Sequence, residues 1–274
     1  MRTVRIPYRP PYDWGAMLAF FAARAIEGIE RVDGEAYERT VRVGGAVGSI
    51  RVTHRPEHQG LVAEIDFPEP RVIVARLRRL FDVDADVTAI GAWLARDPLL
   101  APLVRARPGL RPPGAFDDFE LAVRAVLGQQ ITVVAARKLG GQLVRIAGRP
   151  AGDGRFVFPT PEEVRRGELD ALGMPKARRE TLRALAELDD VARIRTVKGV
   201  GEWTAQYVAL RAGRDPDAFP ATDVALLRAA ALCIDALDGA ALDAAALLAR
   251  AERWRPYRAY AAQHLWTSLT GSPA

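Results

Sequence analysis

The apolar period of this chain changes once, close to Phe81, and that change limits the layers it can build. Up to Phe81 the apolar residues fall in short runs with strand character, at residues 4–8, 36–43, 47–53 and 61–67. Two helical patterns interrupt them. One follows Asp13, a side chain suited to capping, and sets Met17, Leu18, Phe21, Ala25 and Ile29 at helical spacing. The other opens at Pro70, where a missing N–H is tolerated, and runs to Leu80. Gly44-Gly45, between two strand runs, reads as a tight hairpin turn. Together these imply a small antiparallel sheet with helices on one face.

Past Phe81 only helical patterns remain. A short helix is expected near residues 89–96. The run Arg107-Pro-Gly-Leu-Arg-Pro-Pro-Gly114 reads as a linker, because its prolines and glycines forbid regular structure. From Phe116 the chain reads as almost entirely helical. Phe119, Val123, Val126 and Leu127 form one apolar stripe, which Gly128-Gln-Gln130 interrupts before Thr132 caps the next helix. Further helices are expected over 161–166, 176–188, 203–211, 224–237, 241–254 and 256–269.

Composition narrows the function classes. A single cysteine, Cys233, excludes an internal disulfide, a cysteine zinc cluster and a protein-bound iron–sulfur cluster. His54 and His58 have Pro56 between them and no evident third ligand, so they read as a solvated loop rather than a metal site. The net charge of +5 fits an anionic partner such as nucleic acid. Only Lys138, Lys176 and Lys198 are lysines, and the arginine bias carries no functional weight. No apolar run reaches membrane-spanning length, and the N-terminus lacks an apolar signal core, so a cytoplasmic protein is the simplest expectation.

The informative stretch is Val197-Lys-Gly-Val-Gly-Glu-Trp-Thr-Ala-Gln-Tyr207. Gly199 and Gly201 turn the chain sharply between two helical segments, and the N–H groups opening the second helix favour an anion. Such a hairpin can grip a DNA phosphate without reading a base. An ordinary tight turn fits the glycines equally well. Twelve residues on from Arg211, the Gly/Pro-rich stretch Gly213-Arg-Asp-Pro-Asp-Ala-Phe-Pro-Ala-Thr-Asp223 ends in an acid at a helix start. That acid suits a helix cap as well as a catalytic role.

Hairpin, Gly/Pro loop and aspartate in this order resemble the helix-hairpin-helix glycosylase superfamily. Pro11-Tyr-Asp-Trp14, Ala22-Ala-Arg24, Arg107-Pro-Gly-Leu110, Arg124-Ala-Val-Leu-Gly-Gln129, Phe158-Pro-Thr-Pro161, Ala171-Leu-Gly-Met-Pro175 and Glu252-Arg-Trp-Arg-Pro256 resemble, in collinear order, the bacterial 3-methyladenine DNA glycosylase II (AlkA) family. The resemblance implies a mainly α protein with an N-terminal α+β domain. Its parts would be residues 1–88, a helical domain at 116–212 carrying the hairpin, and a discontinuous one at 89–115 plus 213–274. Asp223 would face the cleft and stabilise positive charge developing on the sugar.

The resemblance also implies a base pocket of Trp203, Tyr207, Trp266, Phe20 and Gln129, whose rings suit a cationic alkylated base. Gly199, Gly201, Thr204, Lys198 and Gln130 would meet DNA. Relatives that cleave the strand carry a lysine just after the hairpin, where Trp203 stands here, so a monofunctional enzyme leaving an abasic site is expected. Gln130 occupies the position of an apolar wedge, Val224 follows Asp223 where an aromatic can sit, and Lys198 replaces a hairpin proline. No cofactor is expected; a monovalent cation under the hairpin carbonyls is the one inorganic group the resemblance allows. The implied partner is damaged double-stranded DNA, met by a monomer without a membrane and, in bacteria, at the nucleoid. Two other readings stay open: a glycosylase for oxidised or deaminated bases, and a damaged-DNA-binding module without chemistry.

Overall fold

The structure is a computed structural model that describes residues 1–235 and 243–270. The ends of the helices expected to stop at 237 and start at 241 therefore lie outside the described residues, as do 271–274 of the expected third domain.

The N-terminal part is a five-stranded antiparallel sheet in the order β1-β5-β4-β3-β2. Its strands are β1 (Arg2–Pro7), β2 (Glu30–Asp33), β3 (Ala36–Val43), β4 (Ala46–Arg55) and β5 (Gly60–Asp66), and Gly44-Gly45 turns β3 into β4. Helix α1 (Trp14–Arg24) starts where Asp13 accepts the Ala16 N–H at 2.9 Å. It stops at Arg24, short of the expected Ile29. Gly28 takes a left-handed turn there, and Ile26 and Ile29 are buried by the turn instead. Helix α2 (Pro70–Leu80) is bounded as the sequence implies. Ile73, Leu77 and Leu80 pack with Leu61 and Ile65 of the sheet, each burial stabilising by roughly 1.5–3 kcal/mol. His54 is no loop residue. It sits on β4, with its Nε2 2.8 Å from the Tyr8 hydroxyl.

Two helical cores follow. One is built around α5 (Asp118–Leu127), α6 (Val133–Ala147), α7 (Pro161–Arg166), α8 (Lys176–Leu185) and α9 (Glu202–Arg211). The other joins α3 (Val87–Leu94) and α4 (Ala101–Ala106) to α10 (Val224–Asp235), α11 (Ala244–Ala251) and α12 (Arg258–Ser268). Helix α4 and a small hairpin of β6 (Arg149–Gly152) and β7 (Arg155–Val157) were not legible as elements in the sequence.

The expected linker at 107–114 is a buried strap, not a solvated connection. Residues 109–116 are all buried. Its prolines lack N–H groups and so leave fewer donors to satisfy inside the protein. Gly114 lets the strap lie against α2, since a Cβ there would come within 2.3 Å of the Arg79 carbonyl oxygen. Arg111, 2% exposed, pins the strap by donating to the carbonyls of Asp82, Ala85, Arg9 and Pro11.

The sheet is fastened to the first helical core by buried charge. Arg39 donates to Glu120 at 2.7 Å, and Arg124 donates to both Glu30 and Glu120 at 2.6 Å. A buried pair of this kind contributes little net stability, but removing one partner strands the other.

Candidate active site

A cavity of about 500 Å³ opens between α1, α5, α9, α10 and α12. Helical spacing explains most of its wall. Trp203, Tyr207 and Arg211 recur every fourth residue of α9 and share one face; Phe20 and Arg24 do the same on α1. Trp266 and Gln263 enter from α12, and Asp223 from the start of α10. Four of the five sequence-implied pocket residues thus meet in one cavity with Asp223: Trp203, Tyr207, Trp266 and Phe20.

Asp223 is both a cap and a cavity residue. Its Oδ1 accepts the Leu226 N–H at 2.8 Å, which caps α10, and the Trp266 indole N–H at 2.9 Å. Its Oδ2 accepts the Trp203 indole N–H at 2.6 Å. These are charge-assisted bonds from neutral donors, and they fix where the oxygens point. Among the described residues no cation pairs with Asp223, so its oxygens are oriented by dipoles rather than cancelled by an ion pair.

The rings form a connected set. Tyr207 stacks on Trp203 with centroids 5.2 Å apart and meets Trp266 edge-on at 6.4 Å. Sequence reasoning missed what lies against them. Arg211, 2% exposed, sets its guanidinium 4.4, 4.9 and 5.4 Å from the ring centroids of Phe20, Tyr207 and Trp266. Arg24 lies 4.0 Å from the Phe20 centroid. Burial alone raises the Tyr207 phenol, but the charges of Arg211 and Arg24 outweigh it and bring the phenol below its ordinary value. The usable signal was the four-residue spacing from Phe20 and from Tyr207.

Gln129 does not line this cavity, contrary to the sequence reading. Its amide donates to the Gly199 carbonyl and to the Thr204 hydroxyl, each at 3.0 Å, and so ties the loop after α5 to the hairpin. Thr204 is correspondingly buried, with its hydroxyl engaged inside the protein rather than offered to DNA.

The hairpin runs from a 3₁₀ turn at Val191–Thr196 through Gly199-Val-Gly201 into α9. Gly199 needs to be glycine: its φ is +91°, and a Cβ would lie 2.3 Å from the Thr181 hydroxyl. Gly201 has extended backbone, with nothing within 4 Å of a Cβ, so conformation does not demand glycine there. What it leaves is open space in front of the α9 N-terminus. Lys198 is exposed beside it. The carbonyls of Val197, Lys198 and Gly199 accept bonds from Val200, Thr181 and Gln129. No chemistry below is routed through a cation at these carbonyls. Gln130 is exposed at φ +57°, at the tip of the loop between α5 and α6, and Val224 is 80% exposed.

Comparison with known proteins follows this geometry. A family model described as the AlkA N-terminal domain matches residues 3–117. DNA-3-methyladenine glycosylase 2 of Escherichia coli is 35% identical over 94% of this chain and 95% of its own length. A probable bifunctional transcriptional activator/DNA repair enzyme AlkA of Mycobacterium tuberculosis is 38% identical over 97% of this chain, which spans 57% of that relative. Among solved structures, the 3-methyladenine DNA glycosylase of Archaeoglobus fulgidus superposes with a TM-score of 0.84 at 19% identity, covering 97% of each chain. An 8-oxoguanine glycosylase/lyase of Clostridium acetobutylicum in complex with double-stranded DNA gives a TM-score of 0.65 at 16% identity, over 88% of this chain and 97% of its own. Those two show the fold, helical with an N-terminal antiparallel sheet. The similarity to the Escherichia coli protein, nearly end to end, shows that the chain belongs to the DNA-3-methyladenine glycosylase 2 (AlkA) family.

Proposed function

We propose that this chain is a monofunctional DNA glycosylase that hydrolyses the N-glycosidic bond of alkylated bases, of the 3-methyladenine and 7-methylguanine type, in double-stranded DNA. The observation that carries the reading is Asp223, held by two indole N–H groups in the wall of an aromatic cavity of base-binding size.

A stacked base is out of reach, so the nucleotide has to be turned out of the helix into the cavity. An alkylated purine carries positive charge and leaves readily. As the C1′–N bond lengthens, positive charge grows on the sugar. Asp223 stabilises it, and its free lone pairs can orient the water that adds to C1′. The open approach at Gly201 and the α9 N-terminus suit a phosphate, which positions the duplex without reading its sequence. Among the described residues no lysine lines the cavity, and Trp203 stands where a Schiff-base lysine would be, with Lys198 exposed on the hairpin before the turn; this supports the monofunctional reading.

The test is incubation of the purified chain with methylated duplex DNA. Release of 3-methyladenine and 7-methylguanine, with abasic sites that break only on alkaline treatment, is expected. Borohydride trapping should leave no protein–DNA adduct; an adduct refutes the monofunctional reading. Binding of the duplex without any release of base supports a binding module instead.

A further inference from the structure

The cavity wall holds two kinds of arginine. Arg39 and Arg124 are matched by carboxylates, with Glu30 and Glu120 each within 4.0 Å of both. Arg24 and Arg211 are not. Among the described residues neither forms an ion pair; Arg211 donates to the Pro113 carbonyl at 2.8 Å, and its buried Nε has no acceptor. An arginine does not lose its proton inside a protein, so an unmatched buried guanidinium is costly. For Arg211, ring faces, the Pro113 carbonyl and a 3.5 Å bond to the Gln263 Oε1 offset only part of that cost.

Beside the exposed Arg137 at its rim, the cavity therefore holds a carboxylate and two more enclosed guanidiniums that do not neutralise one another. Tyr207 touches both sides: it stacks on Trp203, which bonds Asp223, and it has the Arg211 guanidinium over its ring. Burial raises the Tyr207 phenol, and the charge and hydrogen bonding of Arg211 and Arg24 bring it back below its ordinary value. These cations work against the attraction that the ring faces and Asp223 exert on a base arriving positively charged, and they favour one that leaves negatively charged.

We propose that Arg24, with Arg211 behind it, receives the negative charge of a departing neutral base, and so sets how this cavity divides its activity between uncharged and cationic lesions. The proposal rests on the glycosylase reading above. When the C1′–N bond of a neutral nucleotide breaks, the bonding pair leaves on the base nitrogen and the sugar becomes oxocarbenium-like. Asp223 faces the sugar charge, and the guanidiniums face the base charge. Water adds its oxygen to C1′ and releases a proton to solvent; the base anion takes a proton from solvent. The sum is nucleotide plus water giving abasic sugar plus neutral base. A cationic base leaves uncharged: the same electron pair moves onto it, but the help Arg24 gives that step only relieves the repulsion met on entering, so relative to free DNA only the neutral base gains. Arg24, half-buried in the wall, is placed to touch the base; Arg211 acts through Tyr207 and the rings.

The experiment compares the second-order rate constants, maximal single-turnover rate divided by half-saturating enzyme concentration, for release of hypoxanthine and of 7-methylguanine from otherwise identical duplexes, for wild type, Arg24→Gln, Arg211→Lys and Arg211→Met. The ratio of the two rate constants, hypoxanthine over 7-methylguanine, should fall about 10- to 100-fold in Arg24→Gln, the effect of losing one charge-assisted hydrogen bond in the transition state. Arg211→Met should shift it the same way, and Arg211→Lys should restore most of it. A structural role lowers both rates alike, so a ratio within threefold of wild type overturns the proposal. Should Arg211→Met not fold, Arg24→Gln decides alone, since Arg24 bears no ion pair. Wild-type release of 7-methylguanine without hypoxanthine overturns this proposal and leaves the glycosylase reading standing. Release of neither base overturns both.

Discussion

Asp223→Asn tests the proposed mechanism at its centre, because the three donors around the carboxylate dictate what the amide can do. An asparagine keeps the shape and loses the charge. A carboxylate about 4 Å from a developing sugar cation, at an effective dielectric near 20, stabilises it by roughly 4 kcal/mol. Losing that slows bond cleavage by about 10³-fold. The amide also has only one acceptor oxygen. If that oxygen keeps the Leu226 and Trp266 N–H groups, the NH₂ faces the Trp203 N–H, which now stands 2.6 Å from another donor. An unmet donor pair of this kind costs on the order of 1–3 kcal/mol of stability. Trp203→Phe removes the conflict, so it should destabilise wild type yet stabilise the Asp223→Asn protein. The assay is single-turnover release of 7-methylguanine for the rate, duplex anisotropy for binding and thermal unfolding for the cycle. A rate within tenfold of wild type, with binding intact, would refute the assigned role of Asp223. Additive effects of the two substitutions on unfolding would refute the bonding scheme.

Other expected outcomes test the surroundings. Gly201→Asp should fold normally, since its backbone is extended and a Cβ has room, but should weaken duplex binding about tenfold for every sequence alike in anisotropy titrations, because it sets an anion where a phosphate approaches. Unchanged affinity removes the hairpin from the DNA interface. Gly199→Ala should destabilise by roughly 1–3 kcal/mol in denaturant titration, through its positive φ and the Thr181 clash; an unchanged midpoint contradicts the turn geometry. Burial, first of all, lowers His264 to about 4 from an unfolded value near 6.5, so the unfolded chain binds the proton first. Stability is then highest above pH 6.5 and falls by about 3 kcal/mol as pH drops from 6.5 to 4. His264→Gln should flatten that limb in thermal unfolding at stepped pH, and an unaltered slope assigns the acid sensitivity elsewhere.

The helix starts were readable from local chemistry. Asp13, Thr132 and Thr160 each accept an N–H three residues on, and Pro70 stands in the first turn of α2. What escaped was decided by partners far along the chain. The 107–114 stretch reads as a linker because prolines and glycines look the same in a solvated loop and in a buried strap. Only Arg111, bonding carbonyls up to 102 residues away, distinguishes the two. Gln129 was assigned to the pocket by resemblance, but its amide is spent on Gly199 and Thr204. Arg211 escaped for a different reason. A basic residue in the last turn of a helix is what the helix dipole favours anyway, so only its four-residue spacing from Tyr207 marks it as sharing the face of the rings.

That strap also explains how a sheet without any proposed chemistry bears on the cavity. Arg211 reaches across to the Pro113 carbonyl, and Arg79 of α2 donates to the Ala212 carbonyl just past the end of α9. The C-terminal end of α9 is thereby held from the N-terminal side, and the same helix carries Trp203 and Tyr207. Phe20 and Arg24 arrive on α1, whose first turn is braced by Arg107 donating to Asp13 at 2.8 Å. Each of the three apolar cores supplies part of the aromatic wall: Phe20 packs on the first, Tyr207 on the second and Trp266 on the third. The cavity is a junction rather than a hole in one domain. Its geometry is set by how three cores seat against one another, so a change at the strap, remote from Asp223, acts on the rings that aim the carboxylate.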